Sequence, residues 1–269
     1  MAAVTFAFAD ATANVYGIAR LGLTSAERTG NALAILFAGG APVATHARAD
    51  VPVADGDIER LALPGLSTTV EDPLHRWIVR FDDDAGHGFA LTFDAAGPPA
   101  EYKDTGGMEG HEQLCHVHGT VRLGAETRPV RGLGQRGHMW GVPDWDRIDA
   151  ARYVGAWLDD GSAVVLRAVR PAGASFEDEA SWAAVLGAAG SLRVDDPRLS
   201  TTYDEAGRQW RAGLELWVGE EDSYPRFAAG EVLCGSTLDL GQLRLDCAFL
   251  RWRMGGRTGV GRYDLLRRA

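Results

Sequence analysis

The chain has 269 residues, enough for one large β domain or two smaller ones with a real core. Hydrophobic residues make up 46% and the formal net charge is -10, the profile of a water-soluble globular protein. The acidic balance argues against nucleic acid and against anionic membrane surfaces as partners, and it leaves a neutral or apolar small molecule open.

The segment Met1–Asp10 has no basic region and no long apolar run, so no signal peptide is expected. No stretch reaches the ~18 apolar residues of a transmembrane helix. Cys115, Cys234 and Cys247 are odd in number and widely spaced, which suggests reduced, buried thiols and a cytoplasmic protein.

In chain order, Tyr16–Leu21 and Ala32–Phe37 read as strands. Arg76–Phe81 and Gly88–Phe93 alternate apolar and polar residues around Asp82–His87, a hairpin with a polar turn. Ala95–Gly110 lacks a pattern and reads as a long loop, a lid or a link. Leu114–Leu123, Tyr153–Leu158 and Ala163–Val169 are further strands. Ser175–Leu186 reads as the one helix, with Ser175 as cap and acids in the first turn. Gly213–Val218, Gly230–Leu233, Leu243–Phe249 and Val260–Leu265 complete the strands, and the glycine-rich Gly255–Asp264 reads as a hairpin and closing strand. Many short strands with little helix point to an all-β barrel or sandwich, either two related barrels or one large one.

Three constellations carry chemistry. In Gly132–Trp145, strand alternation puts Arg136, His138 and Trp140 on one face, with Arg136 and His138 Cα atoms roughly 6.5–7 Å apart. A guanidinium so close lowers an imidazole pKa unless a carboxylate compensates. Asp144 follows the Gly141–Pro143 turn, and a His138–Asp144 pair beside Arg136, walled by Trp140 and Trp145, makes an acid–base group in an apolar pocket. The structural alternative pairs Arg136 with Asp144 or Asp146.

The second constellation is Glu112–Gly119, where His116 and His118 share one strand face. They line a lumen, face water, or bind a metal, for which His111, Glu112 or His138 must supply more ligands. No spacing fixes such a set, so no metal is expected. The third is Gly207–Trp217, with Glu215 and Trp217 opposite Leu214 and Leu216. Glu112 and Glu215 are candidate buried acids. Serine nucleophile elbows, Walker motifs and dinucleotide fingerprints are absent, which favours cofactor-free acid–base chemistry or simple binding.

The Gly134-Gln-Arg-Gly-His-x-Trp-Gly-x-x-Asp-Trp145 core resembles a bacterial group of carotenoid 1,2-hydratase-like, lipocalin-like (calycin) proteins. Tyr16-Gly17, Glu112–Cys115, Ala156–Gly161, Gly230–Gly235 and Gly259–Tyr263 belong to the same pattern. The resemblance implies two lipocalin-like antiparallel β-barrels in tandem, here placed at residues 1–125 and 126–269. It also implies long apolar ligands, such as terpenoid or polyketide-like substrates, and hydration, isomerisation or cyclisation without metal or organic cofactor. In the hydratases an acidic residue precedes the histidine, where this chain has Arg136-Gly137. On this reading His138, Asp144, Arg136 and Glu112 are catalytic. Trp140, Trp145, Trp217, His116, His118 and Glu215 bind substrate. The alternatives are a non-catalytic carrier of an apolar molecule and a His-based metal-dependent hydrolase or lyase.

Overall fold

The structure, a computed structural model, describes residues 1–54, 57–103, 107–219 and 224–268. It is all-β, with three 3-10 turns among the described residues as its helical content. The chain divides into two compact units.

The first unit, 1–99 and 110–141, holds β1 (Ala2–Asp10), β2 (Val15–Thr24), β3 (Thr29–Ala38), β4 (Ala41–Pro52), β5 (Ala62–Leu63), β6 (Leu66–Asp72), β7 (Arg76–Asp82) and β8 (His87–Ala95). After β9 (Ala100–Lys103) come β10 (Met108–Leu123) and β11 (Glu126–Gly141). The second unit, 100–109 and 142–269, holds β12 (Ile148–Leu158), β13 (Ala163–Pro171), β14 (Ala180–Gly187), β15 (Gly190–Val194) and β16 (Asp196–Tyr203). It continues through β17 (Gln209–Trp217), β18 (Arg226–Asp239), β19 (Leu243–Met254) and β20 (Arg257–Arg268).

Both sheets have one plan. The first runs β4-β3-β2-β1-β11-β10-β8-β7-β6-β5 and the second β15-β14-β13-β12-β20-β19-β18-β17-β16. In each, the unit's first strand pairs antiparallel with its last. Each sheet curls until its ends approach. In the first, a Cβ on Gly30 of β3 would sit 2.8 Å from Leu63 of β5. In the second, Ser181 of β14 donates to Pro197 O of β16 at 3.3 Å. The result is two nearly closed, barrel-like sheets in tandem.

Alternation fills the first barrel. Phe6 and Phe8 of β1, Trp77, Val79 and Phe81 of β7, and Phe89, Leu91 and Phe93 of β8 form one buried cluster. The expected hairpin is there, with Trp77 opposite Phe93 and Phe81 opposite Phe89. Phe6 meets Phe93 edge-on at 5.1 Å, and Phe8 meets Phe89 at 5.3 Å. Packed aromatic pairs of this kind add ~0.5–1.5 kcal/mol each beyond area burial. In the second barrel, Val154, Leu166, Leu214, Leu216, Leu250, Trp252 and Tyr263 play the same part.

Where first and last strands meet, the last strand carries Gly-x-Gly. A Cβ on Gly132 or Gly134 would fall onto the carbonyl oxygen of Ala9 or Ala7 in β1. A Cβ on Gly259 or Gly261 would fall onto Trp157 O or Gly155 O in β12. Through this shared feature Arg136 corresponds to Tyr263, His138 to Leu265 and Trp140 to Arg267.

Three sequence expectations are corrected. Residues 175–186 are not a helix. Ser175 does bond Asp178 Oδ2, by N at 3.1 Å and Oγ at 2.8 Å, but the turn ends after Phe176–Asp178. From Ala180 the chain enters β14, whose backbone pairs with β13 on one side and β15 on the other. Tertiary pairing overrides the local helix signal. The loop 95–110 contains β9, whose Tyr102 packs on Trp182 at 5.4 Å and under the Arg167 guanidinium at 4.0 Å; residues 104–106 lie outside the description. The division at 125/126 falls between β10 and β11 of one sheet, and β11 stays with the first unit because its residues 133–140 pair with β1. The N-terminal segment, without a strand assignment in the sequence, is β1, the central strand of the first sheet. The three cysteines are buried and free, as expected.

Gly261→Ala therefore forces two strands apart and lowers stability by about 1–3 kcal/mol. Gly187→Ala, whose added Cβ meets only Gly190 O at 3.9 Å, changes stability by no more than about 0.5 kcal/mol. Urea denaturation of the two variants checks this, and equal midpoints would contradict it.

Candidate active site

The inward face of β11 passes from the packed lumen toward solvent. Val130 belongs to the barrel core, the glycines 132 and 134 leave room for the opposite strand, and Arg136, His138 and Trp140 follow at two-residue spacing. Exposure rises along the row: Arg136 is 2% exposed, His138 is half-buried and Trp140 is 42% exposed. The row therefore leads out of the barrel. The neighbouring β10 presents His111, Gln113, Cys115 and Val117 on alternate positions. Cys115 and Val117 join the core, and the first two are buried.

Arg136 is the electrostatic centre. Its guanidinium donates to Gln113 Oε1 and lies 5.0 Å from the Trp77 ring. Gln113 is itself held by donating to Leu74 O at 2.9 Å and Gly97 O at 2.8 Å. A fixed carbonyl oxygen and an aromatic face thus hold a cation where water is scarce. Burial lowers the pKa of Arg136 from its ordinary value, yet arginine starts far enough above neutrality to remain charged. Burial also pushes the Cys115 thiol up to about 12, so Cys115 is no nucleophile at neutral pH.

His111, His138 and Trp140 form an aromatic triad above this cation. Ring centroids are 5.7 Å apart for His111–His138, 6.1 Å for His111–Trp140 and 5.4 Å for His138–Trp140, all edge-to-face. Burial, then the charges of Arg136 and His138, hold His111 down to about 4 from the ordinary 6.5. Burial and then Arg136 lower His138 as well. Both rings are therefore neutral at pH 7. His111 is 8% exposed, and its buried Nε2 has no hydrogen-bond partner among the described residues. Such an orphan polar atom carries a desolvation cost unless a ligand satisfies it.

The structure gathers Arg136, His138 and Trp140 as the sequence suggests, and adds His111, Gln113 and Trp77. The remaining expected residues lie elsewhere. Glu112 points to the opposite face of β10, where it accepts from Gln135 Nε2 at 2.6 Å and fills the space over Gly137. His116 and His118 are exposed on that outward face, the reverse parity from Cys115 and Val117, and His118 sits 3.4 Å from Asp94. They do not line the lumen. No group of three or more potential metal ligands occurs among the described residues. Asp144 belongs to the second unit, where its Oδ1 accepts from Asp146 N as the cap of a 3-10 turn. Trp145 packs near Ile148, Ala151 and Val169 of that unit. Glu215 and Trp217 bond each other at 3.0 Å on the outward face of β17, with Arg198 3.0 Å from Glu215. His111 is the residue the sequence reading missed as part of the site. Its parity with Cys115 on a strand was the signal that locates it.

A family model covers this arrangement. Residues 3–269 match the family described as Domain of unknown function (DUF7064). The chain belongs to that family. Among curated proteins none matches it. Solved structures share the fold. The Nitrosomonas europaea protein NE1406 has TM-score 0.70 at 16% identity over 98% of this chain and 91% of its own. Kievitone hydratase from Nectria haematococca has 0.69 at 9% identity, over 99% and 88%. CghA, solved with Sch210972, has 0.69 at 12% identity, over 100% and 89%. At these identities the likeness establishes two lipocalin-like barrels in tandem.

Two imidazoles kept neutral by burial and by Arg136 have a measurable signature. Protonating His111 must wait for about pH 4. The unfolded chain binds that proton near pH 6.5, so stability contributed by neutral His111 is complete above that pH and is lost as pH falls toward 4. Arg136→Met removes one cause and shifts the His111 pKa upward. An NMR titration of the histidine rings checks both, and a wild-type His111 titrating near its ordinary value would contradict them.

Proposed function

We propose that this protein is a cofactor-independent enzyme acting on a hydrophobic, terpenoid or polyketide-like substrate by acid–base-assisted hydration, isomerisation or cyclisation. The observation that carries the reading is the unpartnered Nε2 of neutral His111, set beside His138 and Trp140 and above the buried Arg136 cation. A neutral imidazole accepts a proton, so the pair is suited to begin as base rather than as acid. His111 takes the proton of a substrate hydroxyl, an acidic C–H or an attacking water. His138, 5.7 Å away by ring centroid, relays or returns it. Arg136 stabilises the negative charge that develops on oxygen as the proton leaves, through a field that burial strengthens. The Trp140 and Trp77 faces supply apolar walls and attract any positive charge appearing on the substrate carbon.

This revises the roles expected from sequence. His138 keeps its place, Arg136 serves as charge stabiliser, His111 replaces Asp144 as the partner of His138, and the proton donation expected of Glu112 is not used. The resemblance to carotenoid 1,2-hydratase-like proteins and the fold shared with a kievitone hydratase both support a hydratase-type reaction. The unpaired cysteines suit a reducing, cytoplasmic setting.

Incubation with farnesol, linear polyenes and prenylated phenols in D2O, followed by mass spectrometry, tests the proposal. Addition of D2O, deuterium incorporation or an isomer of unchanged mass is expected. His111→Ala and His138→Ala each lower its rate by about 100-fold or more, the range of a lost general base, while Asp144→Asn leaves it within about threefold. Turnover that survives both histidine substitutions contradicts the assignment. A compound that binds the wild-type protein and is released unchanged makes it a carrier.

A further inference from the structure

The second barrel opens at the register position matching the first one's site, and the side chains there are of another kind. Leu265 stands where the first unit has His138, Arg267 where it has Trp140, and Tyr263 where it has Arg136. A cavity of about 510 Å³ lies at this place, lined by Arg152, Arg170 and Arg267, by Thr201 and Tyr203, and by apolar Leu199 and Leu265. Its volume is within the usual span for small-molecule sites.

Its lining holds three arginines and no carboxylate side chain. Arg152 pairs with Glu179 at 2.8 Å, both nearly buried. Arg267 and Arg244 share the 1% exposed carboxylate of Asp246, at 2.9 and 3.0 Å. Arg170 faces Glu179 as well, and its buried Nε has no hydrogen-bond acceptor among the described residues. Among the described residues, the lining guanidiniums stand against the carboxylates of Glu179 and Asp246, the latter shared with Arg244 outside the lining. Burial raises the pKa of Glu179 from its ordinary value, against the pull of Arg152 and Arg170. Asp264 does not join the lining: it is on the outward parity of β20, 3.3 Å from Arg262. A cluster of arginines, one of them nearly buried and one with an unsatisfied buried N–H, favours an anion. The Thr201 hydroxyl, 2.8 Å from the Tyr263 hydroxyl, adds a second polar contact at the same rim.

We propose that the mouth of the second barrel is a binding site for an organic anion, a carboxylate carried on an apolar body. Arg170 and Arg267 hold the carboxylate, and Leu199 and Leu265 receive the apolar part. The site is independent of the chemistry proposed for the first barrel.

Calorimetric titration of the full-length protein with decanoate, and separately with decanol, tests this. Decanoate binds with one-to-one stoichiometry, and decanol, lacking the charge, binds at least about tenfold more weakly. Arg170→Gln and Arg267→Gln each weaken decanoate by about tenfold or more, and His138→Ala leaves it unchanged. Arg267, 30% exposed in its side chain, is the variant to rely on where Arg170→Gln fails to fold. Equal affinity for decanoate and decanol, unchanged binding in a folded Arg267→Gln variant, or loss of binding in His138→Ala would each overturn the proposal.

Discussion

The rest of the structure depends on how closely the first and last strands of each unit approach. A sheet that pairs its first strand with its last needs contact at that seam without steric conflict. Here Gly132 and Gly134 meet β1, and Gly259 and Gly261 meet β12, at positions where a Cβ would land on a carbonyl oxygen. The seam fixes register, and register fixes parity: one residue of slip would send Arg136, His138 and Trp140 outward and Gln135 and Gly137 inward. The site is thus a consequence of where glycine is placed, and so is the cationic opening of the second barrel.

Inside the first barrel burial acts first on the imidazoles, and the charge of Arg136 adds to it. A guanidinium buried with a neutral amide acceptor and an aromatic face keeps its charge, because its intrinsic pKa leaves a wide margin. The two imidazoles have no such margin. Burial and the neighbouring cation act in the same direction on both, and no carboxylate is aimed at them from β10, since Glu112 is turned to the other face. The result is a neutral imidazole beside a fixed positive charge, which opposes imidazolium and stabilises negative charge on a nearby oxygen. An acid in place of Arg136 would have favoured imidazolium and a proton donor. The exchange of an acid for Arg136-Gly137 therefore bears on the direction of proton transfer rather than only on binding.

Much of this was legible in the sequence, for specific reasons. The Trp77–Phe93 hairpin announced itself through strict alternation, and the row Arg136, His138, Trp140 followed from the same two-residue period. The inward position of His111 was equally available from its parity with Cys115 and Val117. Other features depend on contacts distant in sequence. Residues 175–186 carry a helix-like start, and only pairing with β13 and β15 makes most of them a strand. The place of β11 in the first unit follows from its partner β1, more than a hundred residues earlier. Asp144 is near His138 in sequence, yet its carboxylate serves a turn of the second unit. The likeness of the two units shows in their registers and in Gly-x-Gly, while the matched side chains differ: Arg136, His138 and Trp140 in one, Tyr263, Leu265 and Arg267 in the other.

On the proposed function, an apolar ligand meets its polar contact at His111, within the first barrel's opening. The most direct measurement is a nitrogen-15 NMR spectrum of the histidine side chains at pH 7 with and without farnesol. The His111 and His138 ring resonances are expected to move, as Nε2 of His111 gains a hydrogen bond, while those of His116 and His118 stay in place. Movement confined to His116 and His118, or an unchanged His111 in the presence of saturating farnesol, would contradict it.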